Sequence, residues 1–141
     1  MLRAILYQSH AGTEFPSNED YAILEKAWSN NLCLGVTGYL LRSRLKYFQF
    51  LEGEAEALED LLGRIRTDQR HDGLEVLLDE TVAERRFTGW AMGFHLITEE
   101  ERDAFAGWLQ DGVPFARSMI AYMEEMARQR EARSAMAPGR R

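Results

Sequence analysis

The stretch Tyr47-Phe48-Gln49-Phe50-Leu51-Glu52-Gly53 decides the fold. Side chains alternate across a β-strand, so Tyr47, Gln49 and Leu51 point to one side and Phe48 and Phe50 to the other. Apolar groups on both sides predict a central strand that needs a covering layer on each face. Gln49 is out of place in such a strand, because a buried amide without partners costs about 1–3 kcal/mol. A bond to backbone or water is the ordinary remedy. A planar ligand with alternating donors and acceptors is the other.

The neighbouring elements follow outward from this strand. Gly35 to Leu41 reads as a strand joined to Lys46–Glu52 through a tight connection at Ser43-Arg44, and Gly53 is expected to end the second strand. Residues 54–68 form the clearest helix, with Leu58, Leu61, Leu62 and Ile65 at i, i+3, i+4 and i+7. Its acids come early and Arg64 and Arg66 late, which suits the helix dipole. After Asp72-Gly73, Leu74 to Val82 reads as a strand and Trp90 to Leu96 as another. Residues 2–8 make a first buried strand. Ser17 and Asp20 have capping-box spacing, and Tyr21, Leu24 and Trp28, with Ile23 and Ala27 beside them, predict an amphipathic helix ending at Asn30-Asn31.

This order predicts an α+β, ferredoxin-like βαββαββ sheet with two helices on one face. The other face would be covered by C-terminal helices, one near Glu99 to Gln110 ending at Asp111-Gly112 and one after Pro114. In the latter, Phe115, Met119, Tyr122, Met123 and Met126 form a stripe, read as packing, with a partner surface as the alternative. The chain thus divides into a sheet domain (1–97), a helical cap (98–127) and a polar, arginine-bearing tail (128–141), frayed or disordered.

Composition bounds the function. One cysteine, Cys33, excludes an intrachain disulfide framework and a cysteine-rich metal site. No apolar run approaches the roughly 20 residues that cross a bilayer, and the start is too soon interrupted for a signal peptide, so a cytoplasmic protein without membrane contact is expected. A net charge of −6 with two lysines opposes nucleic-acid binding.

Individual residues then suggest a site. Tyr7 lies in the middle of the first strand, whose neighbour in this topology carries Gln49. Asn31 adds a second amide with donor and acceptor capacity, although a lone asparagine there is more often a helix cap. The run from Arg64 through Asp68 and Arg70 to His71 supplies guanidinium forks suited to carbonyl and phosphate oxygens. Ile23, Leu24 and Ile65 would sandwich a flat ring between the two helices.

In this order the residues resemble a BLUF domain, the blue-light sensor that uses flavin, of the short stand-alone type. The resemblance is carried by Leu6-Tyr7-Gln8-Ser9, Asn30-Asn31, Gly35-Val36-Thr37-Gly38, Phe48-Gln49-Phe50-Leu51-Glu52-Gly53, Asp68-Gln69-Arg70-His71 and Arg86-Phe87-Thr88-Gly89-Trp90-Ala91-Met92, and covers about residues 2–96. It implies a noncovalent flavin, commonly FAD with FMN as the other candidate, held between the first two helices. It further implies that Tyr7 is the photochemical electron donor and Gln49 the amide between it and flavin N5 and O4. Asn31 would bond the O4 and N3 edge and Arg70 the O2 side. Arg64, Asp68 and His71 would lie near the ring or ribityl-phosphate chain. Ser9, Trp90 and Met92 would relay the signal toward the C-terminal helices. The resemblance implies no enzyme but a photoreceptor acting on a downstream signalling protein, and the exposed C-terminal helices suggest a homo-oligomer.

Two positions depart from the family pattern. The connection at Ser43-Arg44-Leu45 lacks the usual glycine, and Asn30 stands where some relatives carry histidine. Three rivals remain at this stage. The strand order also occurs in RNA-recognition modules, where Tyr7, Phe48 and Phe50 would stack on bases. An acylphosphatase-like enzyme would need a phosphate-cradling loop after the first strand, which the sequence lacks. The third is an oligomerisation domain with an empty pocket.

Overall fold

A computed structural model describes residues 1–11, 18–44, 46–67, 71–87, 93–101, 103, 105 and 114–136. Five strands form one sheet: β1 (Leu2–Ala11), β2 (Thr37–Arg42), β3 (Lys46–Glu54), β4 (His71–Thr81) and β5 (Gly93–Leu96). Their spatial order is β4-β1-β3-β2-β5, with β5 parallel to β2 and the other pairs antiparallel. The first four strands and the helices α1 (Asn18–Leu34) and α2 (Ala55–Thr67) make the ferredoxin-like unit, and β5 extends the sheet. The helix α3 (Phe115–Met136) completes the described elements.

The β3 alternation holds as predicted. Leu51 packs with Ile5, Tyr7 and the α2 residues Leu58, Leu61 and Leu62, while Tyr47 packs with Ile23 of α1. On the opposite face Phe48 and Phe50 meet Met119, Met123 and Met126 of α3. The methionine stripe is therefore core packing. Phe115, at its outer end, is half-exposed but keeps its ring 6.1 Å from that of Phe48.

Several boundaries differ from the sequence reading, each for a local reason. α1 does not end at Asn30-Asn31 but runs to Leu34, where Gly35 takes a φ of 66° and terminates it. Its inward face is Ile23, Ala27 and Asn31, spaced by four, whereas Tyr21 and Trp28 are exposed. The polar Asn31 disguises this stripe in the sequence. Ser17, the expected cap, lies outside the described residues.

Gly53 does not end β3, because β1 extends alongside it and pairs Arg3 with Gly53 and Leu2 with Glu54. Asp72-Gly73 likewise lies inside β4, at a register shift between Gln8 and His10 that marks a bulge. The hairpin between β2 and β3 manages without a turn glycine. Arg42, fully buried, donates to the carbonyls of Ser43 and Arg44 at 2.8 Å each and lies 4.7 Å from the centre of the Tyr47 ring. α3 runs to Met136, and residues 137–141 of the expected tail lie outside the described residues.

Candidate functional site

Strand register brings the central pair together. Tyr7 and Gln49 are directly opposed on β1 and β3, and both side chains face the helices. The Tyr7 hydroxyl donates to Gln49 Oε1 in a buried hydrogen bond. Both residues are essentially inaccessible, Tyr7 at 0% and Gln49 at 2% exposure, so the pair sits at the floor of the helical layer.

Above it, α1 and α2 part to leave a groove open to solvent. Ile23, Ala27, Leu61 and Ile65 supply apolar walls, Asn31 and Gln49 two amides, and Lys26, Asn30 and Arg64 the remaining polar lining. Asn31 is buried at 1% exposure although it lies in the last turn of α1. Burying an amide carries a cost unless it meets partners. Two buried carboxamides beside apolar walls offer donors and acceptors that suit a flat heterocycle whose edge alternates carbonyl oxygens and ring nitrogens. These residues fit an isoalloxazine ring, whose apolar faces would lie against Ile23, Leu61 and Ile65.

The predicted residues divide into three groups. Gln49, Asn31, Ile23, Arg64 and Ile65 line the groove, and Tyr7 supports its floor. Arg64 is half-exposed at the rim and pairs with Asp60 one turn earlier at 2.9 Å. Leu24 does not line the groove. It packs beside Ala11, Leu40 and Tyr47, because consecutive helical residues point about 100° apart and Ile23 takes the groove-facing position. Ser9 is buried two residues along β1 from Tyr7, opposite Tyr47. His71 opens β4 opposite Ala11. Asp68, Arg70, Trp90 and Met92 lie outside the described residues.

Sequence reasoning missed Lys26, Ala27 and Leu61 as groove residues; spacing by four from Ile23 would have found Ala27. It also missed the charges on the far face. Glu52 is fully buried there and accepts from the backbone N–H of Arg86 and of Phe87 at 2.8 and 2.9 Å. Burial pushes its carboxyl above the usual range, against the pull of those two N–H groups and of Arg86 and Arg85. On β5, His95 Nε2 lies 2.9 Å from Glu101. Burial and the Glu101 charge push the neighbouring Tyr122 phenol up to about 12.

Comparison with known proteins gives concordant results. Residues 2–93 match the family BLUF, described as "Sensors of blue-light using FAD". The blue light- and temperature-regulated antirepressor BluF of Escherichia coli (strain K12) is 31% identical over 103 residues, which are 73% of this chain and 26% of that protein. Photoactivated adenylate cyclase subunit alpha of Euglena gracilis is 32% identical over 93 residues, 64% of this chain and 9% of that protein. A solved structure of Klebsiella pneumoniae BlrP1, in a manganese and cy-diGMP complex, superposes with a TM-score of 0.64 at 38% identity, covering 72% of this chain and 26% of that one. The chain thus spans about a quarter or less of these relatives.

Proposed function

The chain belongs to the BLUF family of blue-light sensors, and from that premise we propose that Tyr7, Gln49 and Asn31 form its photochemical centre around a noncovalent flavin. The observation that carries the reading is the buried Tyr7-to-Gln49 hydrogen bond at the floor of the groove. When bound, the flavin supplies absorption of blue light and an excited state that accepts an electron.

The chain's own residues do the rest. Tyr7 is the donor, and its hydroxyl proton leaves along the existing bond toward Gln49 Oε1. Gln49 presents one acceptor and two donor hydrogens, so reorientation or tautomerisation of the amide exchanges what it offers to each neighbour. Asn31 holds the adjacent edge of the ring, and Ile23, Leu61 and Ile65 exclude water from it. Return of the electron and proton to Tyr7 leaves no net chemistry, only a different set of hydrogen bonds. One such bond contributes about 1 kcal/mol, enough to shift a partner equilibrium several-fold.

FAD is the cofactor we favour. The family description names it, and Lys26 and Arg64 bring two cations to the groove to meet phosphate oxygens. FMN would present the same ring. We read the module as a sensor with no reaction of its own, passing its signal through the last strand and the C-terminal helices to a partner protein, as a homo-oligomer in the cytoplasm. Among the described residues no helix is long and apolar enough to cross a membrane. The RNA-binding alternative has no support: Tyr7, Phe48 and Phe50 are buried and cannot stack on bases.

An absorption spectrum tests this reading. Purified protein is expected to be yellow, to shift to the red under blue light and to recover in darkness. Colourless protein that cannot be reconstituted with flavin would overturn it.

A further inference from the structure

β4 and β5 occupy opposite edges of the sheet, so the chain between them must cross β1, β3 and β2. The described part of this crossover, residues 82–87, is stitched down at each strand. Val82 N–H donates to the Leu2 carbonyl on β1 at 3.0 Å. Arg85 donates to the Gly35 carbonyl, the Thr37 hydroxyl and the Glu52 carbonyl at 2.8–3.0 Å. Glu52 receives the N–H groups of Arg86 and Phe87, and the Arg86 guanidinium reaches Glu124 of α3 at 3.4 Å. The Phe87 ring, buried in the α3-side core, stacks on Tyr39 at 5.4 Å and meets the edge of Phe50 at 5.7 Å.

Glu52, three residues along β3 from Gln49, thus hydrogen-bonds the crossover backbone directly, whereas Phe50 meets the crossover only through the Phe87 ring. A buried carboxylate is costly for mere packing, and an apolar residue of similar size would fill the space. What an apolar residue would not do is fix the positions of two consecutive backbone N–H groups. We infer that Glu52 is a positioning residue that couples β3 to the crossover and α3, so that a change of hydrogen bonding at Gln49 is passed to α3 through the Arg86–Phe87 backbone. The inference rests on the flavin reading of the groove.

The test compares Glu52→Gln with Glu52→Leu in flavin-loaded protein. Glu52 Oε1 accepts from both N–H groups, at 2.8 and 2.9 Å, and Oε2 accepts again from that of Arg86 at 2.8 Å, so a glutamine with its carbonyl oxygen in the Oε1 place keeps an acceptor for both N–H groups, whereas leucine retains only the volume. Neither change touches the groove, and both variants are expected to show the wild-type red shift. Amide hydrogen exchange across 115–127 should respond to light in wild type and in Glu52→Gln, and fail to respond in Glu52→Leu. A wild-type α3 response in Glu52→Leu would overturn the inference, whereas a wild type without any red shift would overturn the flavin reading instead. Should Glu52→Leu not fold, wild-type exchange at the Arg86 and Phe87 amides decides. Light is expected to change it about three- to tenfold, the range one hydrogen bond spans. Unchanged exchange there, with α3 responding, overturns the inference.

Discussion

Tyr7 and Gln49 face each other across β1 and β3 with the phenol donating to the amide carbonyl. A register slip of one residue would turn either side chain to the α3 face. The Tyr7–Gln49 contact, and with it the proposed photochemical pair, depends directly on the sheet register.

Tyr7→Phe tests the donor. The ring still fills its place, so flavin binding should persist, with a stability loss of about 1 kcal/mol for the missing hydrogen bond. The red shift should vanish. A normal photocycle in this variant, followed by absorbance, would exclude Tyr7 from that role.

Asn31→Ala tests the amide on the wall. It removes hydrogen bonds of about 1–3 kcal/mol in total, which corresponds to about tenfold or more in flavin affinity. Fluorescence titration with FAD measures it. Equal affinity in variant and wild type would show that the buried amide serves α1 alone.

Gly38→Ala tests the close approach of β2 to β3. A Cβ at Gly38 would lie 2.3 Å from the Phe50 carbonyl oxygen, a backbone atom that cannot rotate away. Overpacking of this kind costs about 1–3 kcal/mol, and chemical denaturation should register it as a lower midpoint. An unchanged midpoint would mean that the two strands separate at little cost.

Glu52→Gln should gain stability relative to wild type as pH rises. Burial raises the Glu52 pKa on folding, so the contribution of its protonated form is complete below the ordinary value of 4.5 and lost as pH rises through the folded value. Glutamine has no proton to lose and stays neutral. The difference should be smallest near pH 4 and larger at neutral pH, measured by denaturation at several pH values. A constant difference would contradict the assignment.

Arg3→Ala should weaken the protein more at neutral pH than in acid. Arg3 grips Asp79 through two bonds of 2.7 and 2.6 Å and holds its carboxyl below the ordinary value of 3.8. That stabilisation is present above 3.8 and disappears as pH falls through the folded value. The pair is partly exposed, so its worth is about 1 kcal/mol or less. Thermal melts at pH 7 and pH 3 should show the deficit shrinking in acid.

How legible each part was depended on how local its cause is. The alternation in Tyr47–Leu51 announced a central strand with two covered faces, and the 3.6-residue period of Leu58, Leu61, Leu62 and Ile65 announced α2. The ends of elements were less legible. β3 outlasts Gly53 because β1 lies beside it, and α1 outlasts Asn31 because its left-handed stop is Gly35. Lys26 and Ala27 have no meaning as single residues and acquire one only when α2 stands opposite.

By itself, the order of residue types determined the sheet, its helices and the candidates Tyr7, Gln49 and Asn31, since periodicity and misplaced polar groups are properties of the chain alone. Only the tertiary structure decided that Ile23 rather than Leu24 walls the groove and that Glu52 receives the crossover. Those outcomes depend on distances between segments that are remote in sequence, and these are set by register, helix rotation and the path from β4 to β5.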